Sequence, residues 1–149
     1  MVGHFHTHTH YSILDGAMTV DQLIQKASDG KIDAIAITEH GNIFSAVEFF
    51  FKARDAGIKP LIGCEIYIAP GKLTEKNQDE KNFHATLIAK NEEGYRNLCL
   101  LLKIANIEGF YRKPRIDLKT LIEYRSGLIM LSGCLNGIIP RLIIEGKID

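Results

Sequence analysis

The sequence predicts an α/β fold with a mainly parallel sheet, and two observations support this prediction. Five short apolar segments alternate along the chain with stretches of helical periodicity, which is typical of successive βα units. Residues able to bind metals also stand at the ends of several of these segments, and functional side chains in α/β folds lie at the carboxyl ends of strands. The length of 149 residues fits one domain.

The first predicted strand is HFHTHTH, residues 4–10, which has histidine at every second position. Side chains alternate between the two faces of a strand, so all four imidazoles are expected on one face. A row of this kind is suited to metal binding. The alternative is a histidine-rich tract that contacts nothing else in the fold. The four residues are His4, His6, His8 and His10.

Two helices and two further strands are predicted in the rest of the first half. A capping box at Thr19–Gln22 begins the first helix, and Gly30 is expected to end it in a left-handed conformation. The apolar run AIAIT (34–38) predicts a strand buried on both faces. Ser45 begins a second helix with the same capping signal, Gly57 ends it, and PLIGCEIYIA predicts the third strand.

The second half continues the alternation of strands and helices. Residues 71–82 are polar and predict a loop, HATLIA begins the fourth strand at His84, and Asn91 caps a long helix. GFYRKPRID predicts another loop, and DLKTLIEY predicts a short helix. GLIMLSG (127–133) predicts the fifth strand, and the last helix is expected to bend or restart at Pro140.

Composition narrows the classes of function. Lys plus Arg and Asp plus Glu each number 18, so binding to nucleic acid would need a local basic patch. The chain lacks a secretory signal pattern and has no apolar stretch long enough to span a bilayer, so we expect a cytoplasmic protein without membrane contact. Three cysteines without CxxC spacing fit a reducing compartment. The sequence has no Walker loop, HExxH, GxSxG or GxGxxG motif, which argues against several common enzyme classes.

Histidines, carboxylates and a thiol are the candidate metal ligands, and this mixture suits Zn²⁺, Mn²⁺ or Fe²⁺ better than a Mg²⁺ or Ca²⁺ cage. The pair His6 and His8 carries the strongest signal. His40 follows an apolar strand and is as compatible with a structural hydrogen bond as with metal binding. Asp15 precedes glycine and fits a turn equally well. Glu65 lies in an apolar run, where a buried carboxylate requires a partner.

The three cysteines have different surroundings. Cys64 neighbours Glu65 and is therefore expected on the opposite, core face of its strand, and Cys99 lies on an apolar helix stripe. Cys134 lies in a strand-to-helix turn, where either a metal thiolate or a small buried side chain is compatible with the sequence.

One cluster combines basic and aromatic residues. It consists of Phe110, Tyr111, Arg112, Lys113 and Arg115. Such residues can hold phosphate or stack on a nucleic-acid base, and we take Arg112 and Arg115 as candidate phosphate ligands. A solvated loop is the alternative.

Five segments, in one order along nearly the whole chain, carry a family resemblance. They are HFHTHTHYSILDGA, AIAITEHGNIFSAVEFFFKARDAGIKPLIGCEIYIA, HATLIAKNEEGYRNL, GFYRKPRID and LSGCLNG. These segments resemble the PHP (polymerase and histidinol phosphatase) domain found at the N-terminus of bacterial DNA polymerase III alpha subunits. YSILDGA, GFYRKPRID and LSGCLNG are similar to the polymerase branch more than to the free-standing phosphatases.

The resemblance implies a PHP-type distorted (βα) barrel, of which residues 1–149 would form an N-terminal portion with about five parallel strands. It implies up to three divalent metal ions, zinc or manganese with iron also possible, and a phosphoesterase site of the 3′–5′ exonuclease type. Asp15, His40 and Glu65 would be catalytic. The implied metal ligands are His6, His8, Asp15, His40, Glu65, His84 and Cys134.

Two departures from the family pattern stand out. The last ligand pair of the family, Asp-x-His, has no counterpart before the sequence ends at Asp149, and the final strands are expected to be missing with it. The commoner Thr-Asp-His-Gly is replaced by a version with Glu39, which is one methylene longer. We also expect unpaired strand edges to make a chain of this length self-associate.

On this resemblance the parent protein would be a DNA-directed DNA polymerase, a nucleotidyltransferase of DNA replication, with DNA and other replisome subunits as partners. Two alternatives remain open. One is a stand-alone PHP phosphatase that acts on a small phosphomonoester. The other is a non-catalytic scaffold in which metal stabilises the fold.

Overall fold

A computed structural model describes residues 2–76 and 81–147, so residues 77–80 of the predicted loop 71–82 lie outside the described residues. The chain divides into two compact units, residues 1–64 and 65–149, and the boundary falls inside one long strand. The elements in chain order are β1 (Gly3–His4), α1 (Val20–Asp29), β2 (Ala34–Ile37), α2 (Ala46–Asp55), β3 (Lys59–Ile68), β4 (Phe83–Ala89), α3 (Glu92–Ile107), β5 (Arg115–Ile116), α4 (Leu118–Glu123), β6 (Leu128–Leu131) and α5 (Ile138–Ile144).

The first unit is a set of parallel strands with two packed helices. β2 lies between β1 and β3, and Ala34 is opposite Gly3 on one side and Lys59 on the other. β2 is buried along its whole length, as its bare apolar run predicts. The core of this unit consists of Val20, Leu23, Ile24, Ala27, Ile35, Ile37, Phe49, Ala53 and Ile58.

The start of α1 is confirmed and its predicted end is wrong by one residue. Thr19 and Gln22 form the reciprocal capping box. Gly30 is right-handed with φ −79°, and the left-handed residue is Lys31 with φ 52°. Ile32 N donates to Ala27 O, which is the longer bond of a Schellman motif and places Lys31 at its left-handed position. The right-handed backbone therefore extends through Gly30, and the left-handed residue that terminates the helix comes one position later.

The second unit contains an antiparallel pair that the sequence did not predict. β4 has β3 on one side and β6 on the other, and β6 runs antiparallel to β4, with Leu87 opposite Met130. The described strands therefore number six and are not all parallel, in contrast to the predicted five parallel strands. A short apolar run indicates burial but carries no information about strand direction, and Met130 is in fact exposed.

Two further expectations in this unit are corrected. The segment GFYRKPRID is not all loop, because its end forms β5, which pairs in parallel with Tyr67 and Ile68 of β3. α5 neither bends nor restarts at Pro140, because this residue lies in the first turn. Amide groups there have no partner within a helix, so proline removes no hydrogen bond.

Within residues 2–76 and 81–147, every helix is too short or too polar to cross a bilayer.

Asp117 caps α4 and links it to the loop between β3 and β4. Its carboxylate accepts hydrogen bonds from Thr120 N at 2.8 Å and Leu73 N at 3.1 Å. Although burial acts to raise the pKa of Asp117, the hydrogen bonds from Thr120 and Leu73 outweigh burial and hold this pKa below its ordinary value. The ionised form therefore stabilises the native state.

We expect Asp117→Ala to lower the free energy of unfolding by about 1 kcal/mol at pH 7, measured by urea denaturation, because the cap is lost. The contribution of the charge is complete above the ordinary pKa of 3.8 and disappears as the pH falls through the lower pKa of the folded state. Asp117→Asn is the matched control, since asparagine also caps helices but does not titrate. Equal stability of Asp117→Ala and the wild type at pH 7 would contradict this role.

Candidate metal centre

His6 and His8 meet in the first unit. Their Nε2 atoms are 3.1 Å apart, and their rings are arranged edge to face with centroids 4.9 Å apart. Two imidazole nitrogens bound to one tetrahedral zinc ion at ordinary bond lengths lie roughly 3.3 Å apart. The spacing of this pair therefore fits two ligands of a single ion.

His40 and Asp15 extend the pair. The His40 ring stacks on His8 with centroids 4.1 Å apart and planes at 11°. His40 Nε2 lies 2.8 Å from Asp15 Oδ2, and the side chain of Asp15 is 53% exposed. The four ligands predicted in the first unit thus form one continuous group on a solvent-accessible surface. We call this group, consisting of His6, His8, His40 and Asp15, the histidine cluster.

The expected row of four histidines on one strand is wrong. Strand β1 ends at His4, and beyond it Thr7 N donates to Thr38 Oγ1 while Thr38 N donates to Thr7 O, each at 2.9 Å. His10 packs its ring against Tyr11, with centroids 4.4 Å apart. The cluster therefore contains two of the four regularly spaced histidines, and His40 completes it from the end of β2.

The two interpretations of Asp15 are compatible. Its amide donates to Ser12 O at 3.1 Å, and Gly16 N donates to the same carbonyl at 2.8 Å. Asp15 is thus a turn residue in its backbone and a partner of His40 in its side chain. The turn places the Asp15 carboxylate beside the His40 imidazole, so the hydrogen bonds of the turn help to form the candidate site.

His84 and Cys134 meet in the second unit. Cys134 Sγ lies 3.2 Å from His84 Nε2, although 50 residues separate them in sequence. Gly133 permits this approach, because it has φ +75° and a Cβ there would lie 3.1 Å from His84 Cδ2. His84 also forms a parallel bridge with Gly137. An imidazole and an exposed thiol are therefore available together as metal ligands.

The other two cysteines and Glu65 are less accessible. Cys64 is fully buried, as predicted, and its thiol donates to Glu39 O at 3.2 Å. Cys99 is only half-buried, so its expected core position holds in part. Glu65 is the first residue of the second unit and is buried within β3, with 6% of its surface exposed.

Sequence reasoning missed the most buried charged residue of the first unit. Glu39 is 1% exposed, and its carboxylate accepts hydrogen bonds from Thr9 N and from the hydroxyls of Thr9, Ser12 and Ser45. A glutamate directly after the apolar run AIAIT (34–38) is the signal that the sequence offers. The family resemblance identifies this position only as a departure from the commoner motif, at which a carboxylate that supports the metal ligands would be one methylene longer.

Ser45 illustrates the same omission. It lies at the N-cap of α2, as predicted, but its side chain makes no capping hydrogen bond. Its hydroxyl instead donates to Glu39 Oε1 at 3.0 Å. The serine that resembles a helix cap in sequence is therefore a donor to a buried carboxylate.

The two candidate phosphate ligands differ in the structure. Arg115 is 3% exposed, and its guanidinium donates to Gly109 O at 3.1 Å and Glu75 O at 3.2 Å. Arg112 is exposed and has a left-handed backbone with φ 61°. Lys113 lies over the ring of Tyr67 at 4.2 Å. Arg115 thus supports the loop, and the exposed cations of this loop are Arg112 and Lys113.

A hydrogen-bonded network ties the segment after the histidines to the helices of the first unit. The hydroxyl of Tyr11 donates to Glu48 at 3.1 Å, which raises the pKa of Tyr11. The hydrogen bond from Lys52 and that from Tyr11 lower the pKa of Glu48, although burial opposes this. Lys52 also contacts Asp21 at 2.6 Å. Through Tyr11, these contacts hold the backbone next to His10 against the two helices.

The pattern of residues that characterises one protein family extends over nearly the whole chain. The family model of the PHP domain matches residues 4–149. This chain belongs to the PHP domain family. The match covers both compact units, and it includes every sequence-predicted ligand of the site.

Close relatives of this PHP domain are DNA polymerase III alpha subunits. The chain is 46% identical to the subunit from Borreliella burgdorferi over 149 residues, which is 98% of this chain and 13% of the relative. It is 45% identical to the subunit from Thermus aquaticus over 152 residues, covering 98% of this chain and 12% of the relative. The chain thus spans about an eighth of the length of these curated relatives.

Solved structures support the predicted class of fold. An amidohydrolase from Chromobacterium violaceum aligns with a TM-score of 0.53 and 22% identity, over 70% of this chain and 33% of that protein. This likeness concerns the fold alone. Together with the family match, it confirms the PHP-type α/β fold that the sequence predicts.

We expect Gly16→Ala to destabilise the PHP domain by about 1–3 kcal/mol, measured by chemical denaturation, because overpacking forces the backbone to move. A Cβ on Gly16 would lie 1.7 Å from the carbonyl oxygen of Thr9, which cannot rotate away. Gly71→Ala is the control, since its Cβ would meet the mobile end of Glu75 at 2.2 Å. A Gly16→Ala variant as stable as Gly71→Ala would contradict the close turn.

Proposed function

We propose that this PHP domain binds divalent metal ions at the histidine cluster and hydrolyses phosphodiester bonds at 3′ ends of DNA. The observation that carries the proposal is the convergence of three imidazoles and a carboxylate in the first unit. The identity of 45–46% to DNA polymerase III alpha subunits supports a place in such a subunit, which is a DNA-directed DNA polymerase.

The residues fit a divalent metal by their chemistry. Imidazole nitrogens with carboxylate oxygens suit zinc, manganese or iron, and the spacing of His6 and His8 fits a shared ion. We propose Asp15 and His40 as further ligands. In the second unit we propose His84 and Cys134, which contact each other, together with the buried Glu65. A set of this size would serve up to three ions.

The bound metals would supply a water of lowered pKa and positive charge for the phosphate oxygens. The protein groups would orient these partners and move protons. Asp15 and His40, whose Oδ2 and Nε2 atoms lie 2.8 Å apart, would together hold the ion that activates the water. Glu65 is the third proposed catalytic residue, as a second carboxylate.

The basic loop of the second unit supplies a candidate contact to the nucleic-acid backbone. We propose Arg112 as the phosphate ligand, because its side chain is exposed, whereas Arg115 donates its hydrogen bonds to backbone carbonyls. DNA and other replisome subunits are the proposed partners. The proposed location is the cytoplasm, where bacterial DNA is replicated.

Metal content of the purified protein is the direct test of the site. We expect near-stoichiometric zinc, manganese or iron by plasma mass spectrometry after purification without chelator, and its loss in the double variant His6→Ala/His8→Ala. His4→Ala/His10→Ala is the matched control, because these two histidines lie in the same segment but outside the cluster. Equal metal content in both double variants would refute the proposed ligands.

The reaction is tested with a 5′-labelled single-stranded oligonucleotide in the presence of Mn²⁺ or Zn²⁺. We expect shortening from the 3′ end, and a loss of at least tenfold in rate for Asp15→Asn, because the carboxylate next to His40 is removed. Hydrolysis of p-nitrophenyl phosphate without DNA cleavage would favour a small-molecule phosphatase instead. Bound metal with neither activity would favour a scaffold.

A further inference from the structure

Glu39 is buried among donors that all come from the first unit. Its carboxylate accepts from Thr9 N at 3.0 Å and from Ser45 Oγ at 3.0 Å, and the hydroxyls of Thr9 and Ser12 donate to it as well. An ionised carboxylate offers acceptor sites and no proton, and four donors therefore match it. We call these donors, Thr9, Ser12 and Ser45, the hydroxyl cage.

The hydroxyl cage joins the two chain segments that carry the histidine cluster. Thr9 directly follows His8 in sequence. Ser12 donates to Glu39 and accepts a hydrogen bond from His40 N at 3.1 Å, so one hydroxyl links the carboxylate to the backbone of a cluster residue. Ser12 O also accepts from Asp15 N, which places Asp15 in the same network.

We infer that Glu39 is a positioning residue for the metal centre, acting through the hydroxyl cage on His8, His40 and Asp15. This inference rests on the proposed metal binding. Glu39 precedes His40 in the chain and is joined to the segment of His8 and Asp15 by the hydroxyl cage, so its action is to fix where the ligands stand before a metal arrives. Ligands that are held in place beforehand lose less conformational freedom on binding.

The length of Glu39 has a physical role in this arrangement. Its carboxylate reaches back from the end of β2 to the amide of Thr9, 30 residues earlier. A side chain one methylene shorter would withdraw the carboxylate by about 1.5 Å, which takes ordinary hydrogen bonds beyond their range unless the backbone follows. The position of residues 9–12 therefore requires a side chain as long as glutamate at position 39.

The test measures zinc affinity by competition with a chromophoric chelator on the full chain. We expect Glu39→Gln to weaken zinc binding about ten- to a hundredfold, the usual cost of losing a group that supports metal ligands. Ser12→Ala, which removes one donor and the link to His40 N, is expected to weaken binding less. Glu48→Gln is the matched control, since Glu48 contacts Tyr11 and Lys52 outside the hydroxyl cage.

The outcomes separate this inference from the proposed function. If the wild type binds none of zinc, manganese and iron, the proposed metal site fails. If the wild type binds zinc and Glu39→Gln, folded by circular dichroism, binds it equally well, Glu39 serves only stability and the inference is overturned. Where Glu39→Gln does not fold, Ser12→Ala decides, and an affinity equal to that of Glu48→Gln overturns the inference.

Discussion

A buried carboxylate is stable only when hydrogen-bond donors satisfy it, and side chains of the first unit meet this requirement for Glu39. Glu39 is shielded from solvent at the end of β2, where an unpaired charge would be severely destabilising. Thr9 and Ser12 satisfy it from one segment, and Ser45 satisfies it from the start of α2. The polar groups that stabilise the fold thereby also set the positions of the histidines.

The histidine cluster draws its members from two chain segments. Strand β1 ends at His4, so His6 and His8 lie beyond it, and their Nε2 atoms are 3.1 Å apart. Thr7, which lies between them, is joined to Thr38 by two hydrogen bonds of 2.9 Å, because Thr38 N donates to Thr7 O and Thr7 N donates to Thr38 Oγ1. Thr38 lies two residues before His40, whose ring stacks on His8. Contacts between the two segments therefore hold the three imidazoles together.

In the second unit, strand pairing brings the candidate ligands His84 and Cys134 together. His84 stands at the beginning of β4, and Cys134 follows β6, which is the antiparallel neighbour of β4. Antiparallel pairing places the start of one strand beside the end of the other, so His84 and Cys134 meet. The predicted parallel arrangement would not have brought these two positions together. The strand direction that sequence analysis missed is therefore the feature that forms this pair.

The sequence by itself determined the class of fold, the helices and the types of candidate ligand. Periodicity and capping residues are local properties, which is why α1 at Thr19, α3 at Asn91 and the buried strand β2 are correctly predicted. The tertiary structure decided the direction of β6, the end of the first strand, the true partner of Ser45 and the place of Glu39. The first two features and the contacts of Glu39 with Thr9 and Ser12 depend on neighbouring strands or on residues about 30 positions apart, and such contacts leave no periodic signal in a single sequence. The contact between Ser45 and Glu39 spans only six residues, but it joins two side chains, and helix capping patterns do not report it.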